Sequence, residues 1–307
     1  MSGFKIGKYE VTGAVLAPMA GYTDIAFREL CKGYGAGLTV TEMVSVRGLN
    51  HDSQKTELLM RLSPLESPSC IQLFGNDPDD FARAAELVHS DIIDINMGCP
   101  MPKIVKNGDG AALIKNPELA GRIVRALVNA TDKPVTVKTR LGYEIGKDGA
   151  AELIQSDTEA GASAVAVHGR YAEQRYGGEC DFDKLISLAK KTSVPFIANG
   201  DITGAAICGS GQRKSPFAAV MIGREAIGNP AVFRGEVAVP KEVAKRHFEL
   251  LLKYFDERYS VQQMRKFVSH YFAGVVGGRE VRTAINTATS AAEVRMALDA
   301  APTGMRA

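Results

Sequence analysis

The chain has 307 residues, 45% hydrophobic and 23% charged, with a formal net charge of +2. That length accommodates one large domain and a small one, and the composition is that of an ordinary globular protein. No apolar run reaches the roughly 18 residues a membrane-spanning helix needs, and Lys5, Lys8 and Glu10 interrupt the opening segment where a secretion signal would be apolar, so a cytoplasmic protein is expected. The five cysteines, Cys31, Cys70, Cys99, Cys180 and Cys208, form no C-x-x-C pair and are odd in number, which argues against a zinc site and a disulfide framework.

In chain order, eight apolar runs read as strands: 14–19, 38–43, 70–74, 92–97, 135–140, 163–169, 195–200 and 218–223. Most are continuous rather than alternating, as in parallel strands covered on both faces. Helical patterns lie between them. Asp77-Pro78 and Asn116-Pro117 read as helix starts, followed by Phe81, Ala84, Ala85 and Val88 in one case and by Leu119, Ile123 and Leu127 in the other. Eight such units in about 230 residues fit a (β/α)8 barrel. A doubly wound sheet would usually carry G-x-G-x-x-G after its first strand, where this chain has APMAGYTD. Strand signals stop at Pro240, and 241–259, 261–278 and 290–301 read as amphipathic helices. The expected architecture is therefore α/β: a (β/α)8 TIM barrel over 1–239, then a small C-terminal helical domain over 240–307. Residues 241–307 hold 11 Lys and Arg against 7 Asp and Glu, a basic segment that suits an anionic partner.

Barrels of this kind keep their chemistry at the C-terminal ends of the strands. Those ends hold Pro18 and Met19; Gln72; Asn96 and Cys99; Lys138 and Arg140; His168 and Arg170; Asn199, Gly200 and Asp201; and Gly223 with Arg224. The turns NGDI and IGR, after the seventh and eighth strands, together with the Arg224 fork, suit a phosphate. Lys138, inside an apolar strand, reads either as half of a buried ion pair with Glu42 or Asp94, or as a cation against an electron-rich ring such as a flavin. Gln72 is either a satisfied core amide or a partner for such a ring edge. Cys99 stands between Gly98 and Pro100 on a turn that cannot continue the strand, so its thiol is presented above the sheet. The run 208–215 has Cys208 and Arg213 where a P-loop requires glycine, which excludes that NTPase motif.

Taken together, LAPMAGYTDIAFRELC, GAGLTVTEM, IQLFGNDP, DINMGCPMPKIVKNGDGAALIKNPEL, PVTVKTRLG, VHGR, IANGDI and VMIGREAIGNPAVF resemble, in order, the tRNA-dihydrouridine synthases, and most closely their bacterial B-type branch. MRKFVSHYFAG is similar to that family's C-terminal helical domain. The resemblance implies an FMN-dependent reduction of selected tRNA uridines to dihydrouridine, with NADPH as reductant. It implies FMN contacts from the Pro18-Met19 backbone, Gln72, Lys138, His168, Asn199, Gly200, Asp201, Gly223 and Arg224. It further implies Cys99 as general acid, and Asn96 with Arg170 around the target uracil. Lys245, Arg246, Arg265 and Lys266 are then the expected tRNA phosphate contacts of the helical domain, with Lys103 and Lys106 near Cys99; no obligate protein partner is inferred. Two other functions fit parts of the pattern: an FMN barrel enzyme acting on a small free pyrimidine, which needs no basic helical tail, and a tRNA-binding protein that keeps flavin only as structure, which needs no Cys99. The chain departs from the family after NGDI, where glycine-rich text stands, and matches it weakly beyond Gly277.

Overall fold

The computed structural model of the chain describes residues 3–51, 54–203 and 216–304; Cys208 and the run 208–215 lie outside them. The strands are β1 (Phe4–Ile6), β2 (Tyr9–Val11), β3 (Val15–Leu16), β4 (Leu38–Val40), β5 (Val44–Ser45), β6 (Ser69–Phe74), β7 (Ile92–Asn96), β8 (Val135–Arg140), β9 (Ala164–His168), β10 (Phe196–Asn199) and β11 (Ala219–Ile222). The large sheet runs β4-β3-β11-β10-β9-β8-β7-β6-β5, and a further β4–β6 pairing closes it. Every pairing in it is parallel, and helices surround it: the expected TIM barrel.

Several staves lose a residue at one or both ends, and two depart further from the apolar runs. The run 14–19 is strand only over Val15–Leu16, because the next residues close a turn on Met19, whose carbonyl accepts the N–H groups of Tyr22 (2.9 Å) and Thr23 (3.0 Å). The run 38–43 splits into β4 and β5. Val40 pairs with Cys70 and Val44 with Leu73, so four steps oppose three, as at a bulge. There the Thr41 hydroxyl accepts the Gln72 N–H (3.1 Å) in place of a backbone carbonyl.

Within each stave, alternate residues part company. Ile71, Leu73, Ile93, Ile95, Val135, Val137, Val165 and Val167 point outward into the core beneath the helices, where each fully buried side chain stabilises by about 1.5–3 kcal/mol. Their neighbours point into the barrel. Its lower half is apolar: Val15, Leu38, Cys70, Ile92, Ala164, Ala166, Ile197 and Ala219. Its upper half is polar: Gln72, Asp94, Asn96, Thr136, Arg140, His168 and Asn199 are buried. The antiparallel β1–β2 hairpin, which no apolar run signals, adds Ile6 and Val11 to the apolar half and so plugs its lower end. Gly7 turns that hairpin at φ 55°, the left-handed conformation glycine tolerates.

The anticipated helix starts are present. Asp77 caps Pro78–Leu87 through the Asp79 N–H (2.9 Å), and Asn116 caps Pro117–Ala130 through the Leu119 N–H (3.1 Å). Under the first barrel helix, Ile25–Gly33, lies a buried ion pair. Arg28 donates to Glu66 (2.8 Å), to the Thr23 carbonyl (2.6 Å) and to the Arg61 carbonyl (2.5 Å), while Glu66 also accepts from Thr39 (2.8 Å).

After the barrel come four helices, Pro240–Tyr254, Glu257–Tyr271, Gly278–Thr287 and Ala291–Asp299. The expected helix over 241–259 is broken at Phe255, because Asp256 caps the next one through the Tyr259 N–H (2.8 Å). The third was not read from the sequence: Gly277-Gly278 looks like a stop, yet Val281 and Ile285, one turn apart, are buried. These helices share one apolar core with the first barrel helix, in which Phe27 and Leu30 meet Val243, Phe248, Leu251, Met264 and Phe267. Lys253 (2.9 Å) and Tyr254 both donate to Glu29, and Arg61 donates to the Tyr254 carbonyl (2.9 Å).

Candidate active site at the barrel mouth

The polar upper half of the barrel resolves into two linked networks. The first spans β6, β7 and β8. Asp94 accepts from Gln72 (2.7 Å) and Thr136 (2.6 Å), and Asn96 donates to the Gln72 side-chain oxygen, Oε1 (2.9 Å). The Asn96 oxygen then accepts the N–H groups of Gly98 (3.2 Å) and Cys99 (2.9 Å), so one amide orders the turn carrying the thiol. Arg140 braces the same turn from β8, donating to the Gly98 carbonyl (2.8 Å) and to the Arg175 carbonyl (2.8 Å). Burial pushes the Cys99 thiol above its usual range, against the opposing Met101 N–H and the charges of Arg140 and Lys138. Cys99 is therefore a protonated, half-buried thiol at neutral pH. Burial also raises Asp94 to about 6.

The second network spans β8 to β11. Lys138 is opposite Asn96 in the sheet register and donates to the Asn199 side-chain oxygen (3.0 Å). Its hydrogen-bond partner is thus a neutral amide rather than the carboxylate of Glu42 or Asp94. Burial first, and the charge of Arg140 second, lower the Lys138 ammonium to about 8. Asn199 in turn donates to the Met221 carbonyl (2.8 Å). His168 lies opposite both Arg140 and Asn199, and burial together with the Lys138, Arg140 and Arg170 charges holds it far below its ordinary pKa, hence neutral. Its Nε2 faces Arg170 Nη1 (3.3 Å); a guanidinium only donates, so this contact assigns the ring proton to Nδ1.

Arg170 is buried and its five N–H groups all find acceptors: the Gly177 carbonyl (3.0 Å), the Gly178 carbonyl (2.6 Å), Asp201 (2.5 Å), Cys180 Sγ (2.9 Å) and His168. None remains for the uracil that the sequence resemblance assigns to it. The residue instead ties the loop after β9 to the Asn199–Asp201 turn.

That turn and the start of the helix Arg224–Gly228 stand together, because the Asp201 carboxylate also accepts from Arg224 (3.1 Å). The Arg224 guanidinium is largely exposed and lies 5.7 Å from the Tyr176 ring centroid. Asp201 adopts φ 47° and Gly200 φ 110°. A Cβ on Gly200 would fall 2.2 Å from Cys180 Sγ and 2.5 Å from His168 Cδ2, so only glycine brings this backbone so close. The Arg224 and Glu225 N–H groups lie in the first turn of their helix, where no intrahelical acceptor exists. This glycine cradle, a helix start and an exposed guanidinium fit the phosphate of a bound mononucleotide. In the turn after β3, Met19 is half-buried, and its Sδ lies 3.6 Å from where a Gly223 Cβ would be. Its backbone is engaged by its own turn, the N–H donating to Thr23 Oγ1 (2.9 Å). Lys103 and Lys106 are exposed beside the Cys99 turn.

Asp94, Thr136 and Arg140 also belong to this constellation. Their signal in the sequence is parity: each stands two residues from a site residue on its own strand, hence on the same face. Cys180, which no strand-end pattern singles out, joins it only because the loop after β9 folds back.

The sequence model of the dihydrouridine synthase family matches residues 15–304. The chain belongs to this family. As a dihydrouridine synthase it carries the match into the tail beyond Gly277, which the sequence motifs scarcely reach. A probable tRNA-dihydrouridine synthase of Rickettsia conorii is 36% identical over 303 residues, covering 92% of this chain and 91% of the relative. The tRNA-dihydrouridine synthase B of Proteus vulgaris is 34% identical over 314 residues, covering 96% and 97%. Among solved structures, histamine dehydrogenase from Rhizobium sp. 4-9 superposes with a TM-score of 0.57 at 14% identity, covering 86% of this chain and 50% of that one, a likeness of fold alone.

Proposed function

We propose that the chain reduces uridines in tRNA to 5,6-dihydrouridine, with FMN at the barrel mouth and NADPH as reductant. The observation that carries this reading is the Asn96 turn, in which one amide, aligned by Gln72, orders the backbone of Cys99 and so fixes a protonated thiol beside it. Bound FMN supplies the hydride that C6 of the uracil receives. Cys99 supplies the proton to C5; protonation of carbon is slow, so the fixed position of the thiol matters more than its acidity. Asn96 keeps one N–H for a pyrimidine carbonyl, since its oxygen and other N–H are used within the protein. Lys138 keeps two N–H groups for the electron-rich edge of the cofactor ring, with Gln72 and neutral His168 along the same rim. Asn199, Gly200, Asp201, Gly223 and Arg224 hold the phosphate, Arg170 orders that turn, and Pro18 and Met19 form the opposite wall.

We assign residues 1–239 as the catalytic barrel and 240–307 as the tRNA-binding helical part, with Lys103 and Lys106 taking phosphates near the target base. A cytoplasmic enzyme follows from the substrate. The test is a single-turnover experiment with Cys99→Ala: reduce the enzyme anaerobically with NADPH, add uridine-containing tRNA and follow flavin absorbance. FMN binding and its reduction should persist, while reoxidation by tRNA slows by about 10²–10⁴-fold, the usual cost of a lost general acid. Reoxidation at the parental rate removes the assignment.

A further inference from the structure

Lys266 belongs to the basic tail and reads from the sequence as an RNA phosphate contact. Its surroundings differ from that expectation. The side chain leaves the helix Glu257–Tyr271, is half-buried, and donates to the Gly21 carbonyl and to Gln263 Oε1 (2.6 Å). Its ammonium stands 4.7 Å from the Tyr22 ring centroid and 5.2 Å from that of Phe267. Two of its three N–H groups are thus spent on the protein. Gly21 is held from the other side as well, its N–H donating to Glu42 Oε2 (2.6 Å). The two peptides flanking Gly21 are therefore clamped between a carboxylate just beyond β4 and an ammonium from the helical part. Gly21 sits at φ 79°, where other residues are strained, so this turn has one favourable shape. It is the turn closed by the Met19 carbonyl, and it sets Met19 beside Gly223 on the phosphate side of the mouth.

We propose that Lys266 is a positioning residue for the cofactor, holding the 19–23 turn from the helical part, and not a contact to RNA. This rests on the FMN reading above. Without Lys266 the Gly21 carbonyl loses its charged donor, and Glu42 and Asp24 lose the cation whose charge they share. The turn then samples shapes that no longer set Met19 against the phosphate turn.

The experiment uses the full chain, stripped of flavin, with Lys266→Met, which keeps the apolar stem. Two quantities are measured: the FMN dissociation constant by fluorescence titration, and tRNA affinity across a salt series. FMN should bind about tenfold more weakly, the effect of losing one charge-assisted hydrogen bond. The slope of log affinity for tRNA against log salt should not change. Lys266→Arg should recover FMN affinity in part, and Glu42→Gln should weaken FMN similarly, by releasing the other side of the same turn. Unchanged FMN affinity in Lys266→Met overturns the proposal, as does a salt slope smaller by about one, the signature of a lost phosphate contact. Should Lys266→Met fail to fold, Glu42→Gln carries the test, and unchanged FMN affinity there overturns it equally. A parental chain that binds no FMN overturns the cofactor reading together with this one, an outcome visible before any substitution is made.

Discussion

Two cations lie inside this fold in opposite circumstances. Arg28, under the first barrel helix, meets a carboxylate and two carbonyls, and Glu66 opposite it is equally well supplied. Lys138, in the barrel mouth, donates a hydrogen bond of 3.0 Å to the neutral amide of Asn199. The first arrangement is complete, and losing a partner would strand a charge. The second has no carboxylate in hydrogen-bond reach among the described residues, and burial outweighs the more distant charge of Asp94 to lower the ammonium. The difference separates a charge that holds the fold from one that awaits something: the mouth is where the protein leaves electrostatic demand unmet.

The largest break in this comparison is Glu66→Gln. It leaves Arg28 buried opposite a neutral amide and should cost about 3–5 kcal/mol of stability, read from denaturant unfolding. Asp157 supplies an intermediate case. Both its carboxylate oxygens are buried without a partner among the described residues, and burial raises it to about 8. The folded chain keeps a proton there that the unfolded chain releases above about pH 4, so stability falls as pH rises from about 4 to 8 and levels off beyond. Asp157→Asn should abolish that slope and gain on the order of 2–3 kcal/mol at pH 8, after allowance for relaxation around the carboxylate. An unchanged pH–stability profile would mean that the group is solvated or paired.

The smallest stability effect, and the most informative, belongs to Lys138→Met. The folded chain releases this proton near pH 8 and the unfolded chain only near 10.4, so the parental protein should gain stability across that window. The variant should lack this rise and be more stable below pH 8, by on the order of 1 kcal/mol. Flavin reduction by NADPH should nonetheless slow by about 10–100-fold, through loss of the cation beside the ring. A variant both less stable and equally active would place Lys138 with Arg28 as a structural charge.

The barrel was legible in the sequence because its signal is repetitive: each stave is an apolar run followed by a capped amphipathic helix, and Asp77 and Asn116 cap as their Pro neighbours suggest. The chemistry at the strand ends was legible because polar residues such as Lys138 and Asn199 interrupt runs that packing alone would keep apolar. Other parts depend on contacts distant in sequence. Arg170 looks like a substrate residue until five acceptors, most of them in the returning loop, are seen to consume its donors. Lys266 counts as a basic residue in any tally of the tail, yet it is spent on Gly21, 245 positions away. The helix Gly278–Thr287 is hidden by the two glycines at its start. Propensity and charge counts describe what a residue offers; only the fold decides what takes the offer.

The β1–β2 hairpin adds a kinetic consequence. With Ile6 and Val11 packed into its apolar lower half, the barrel is closed at that end, and among the described residues its polar groups gather at the other. Under the proposed function, a nicotinamide and a tRNA nucleotide would both reach the ring from the polar end, and so would visit in turn. Steady-state rates with both substrates varied should give parallel double-reciprocal lines, each substrate in excess should compete with the other, and the enzyme should wait between visits with its electrons already loaded.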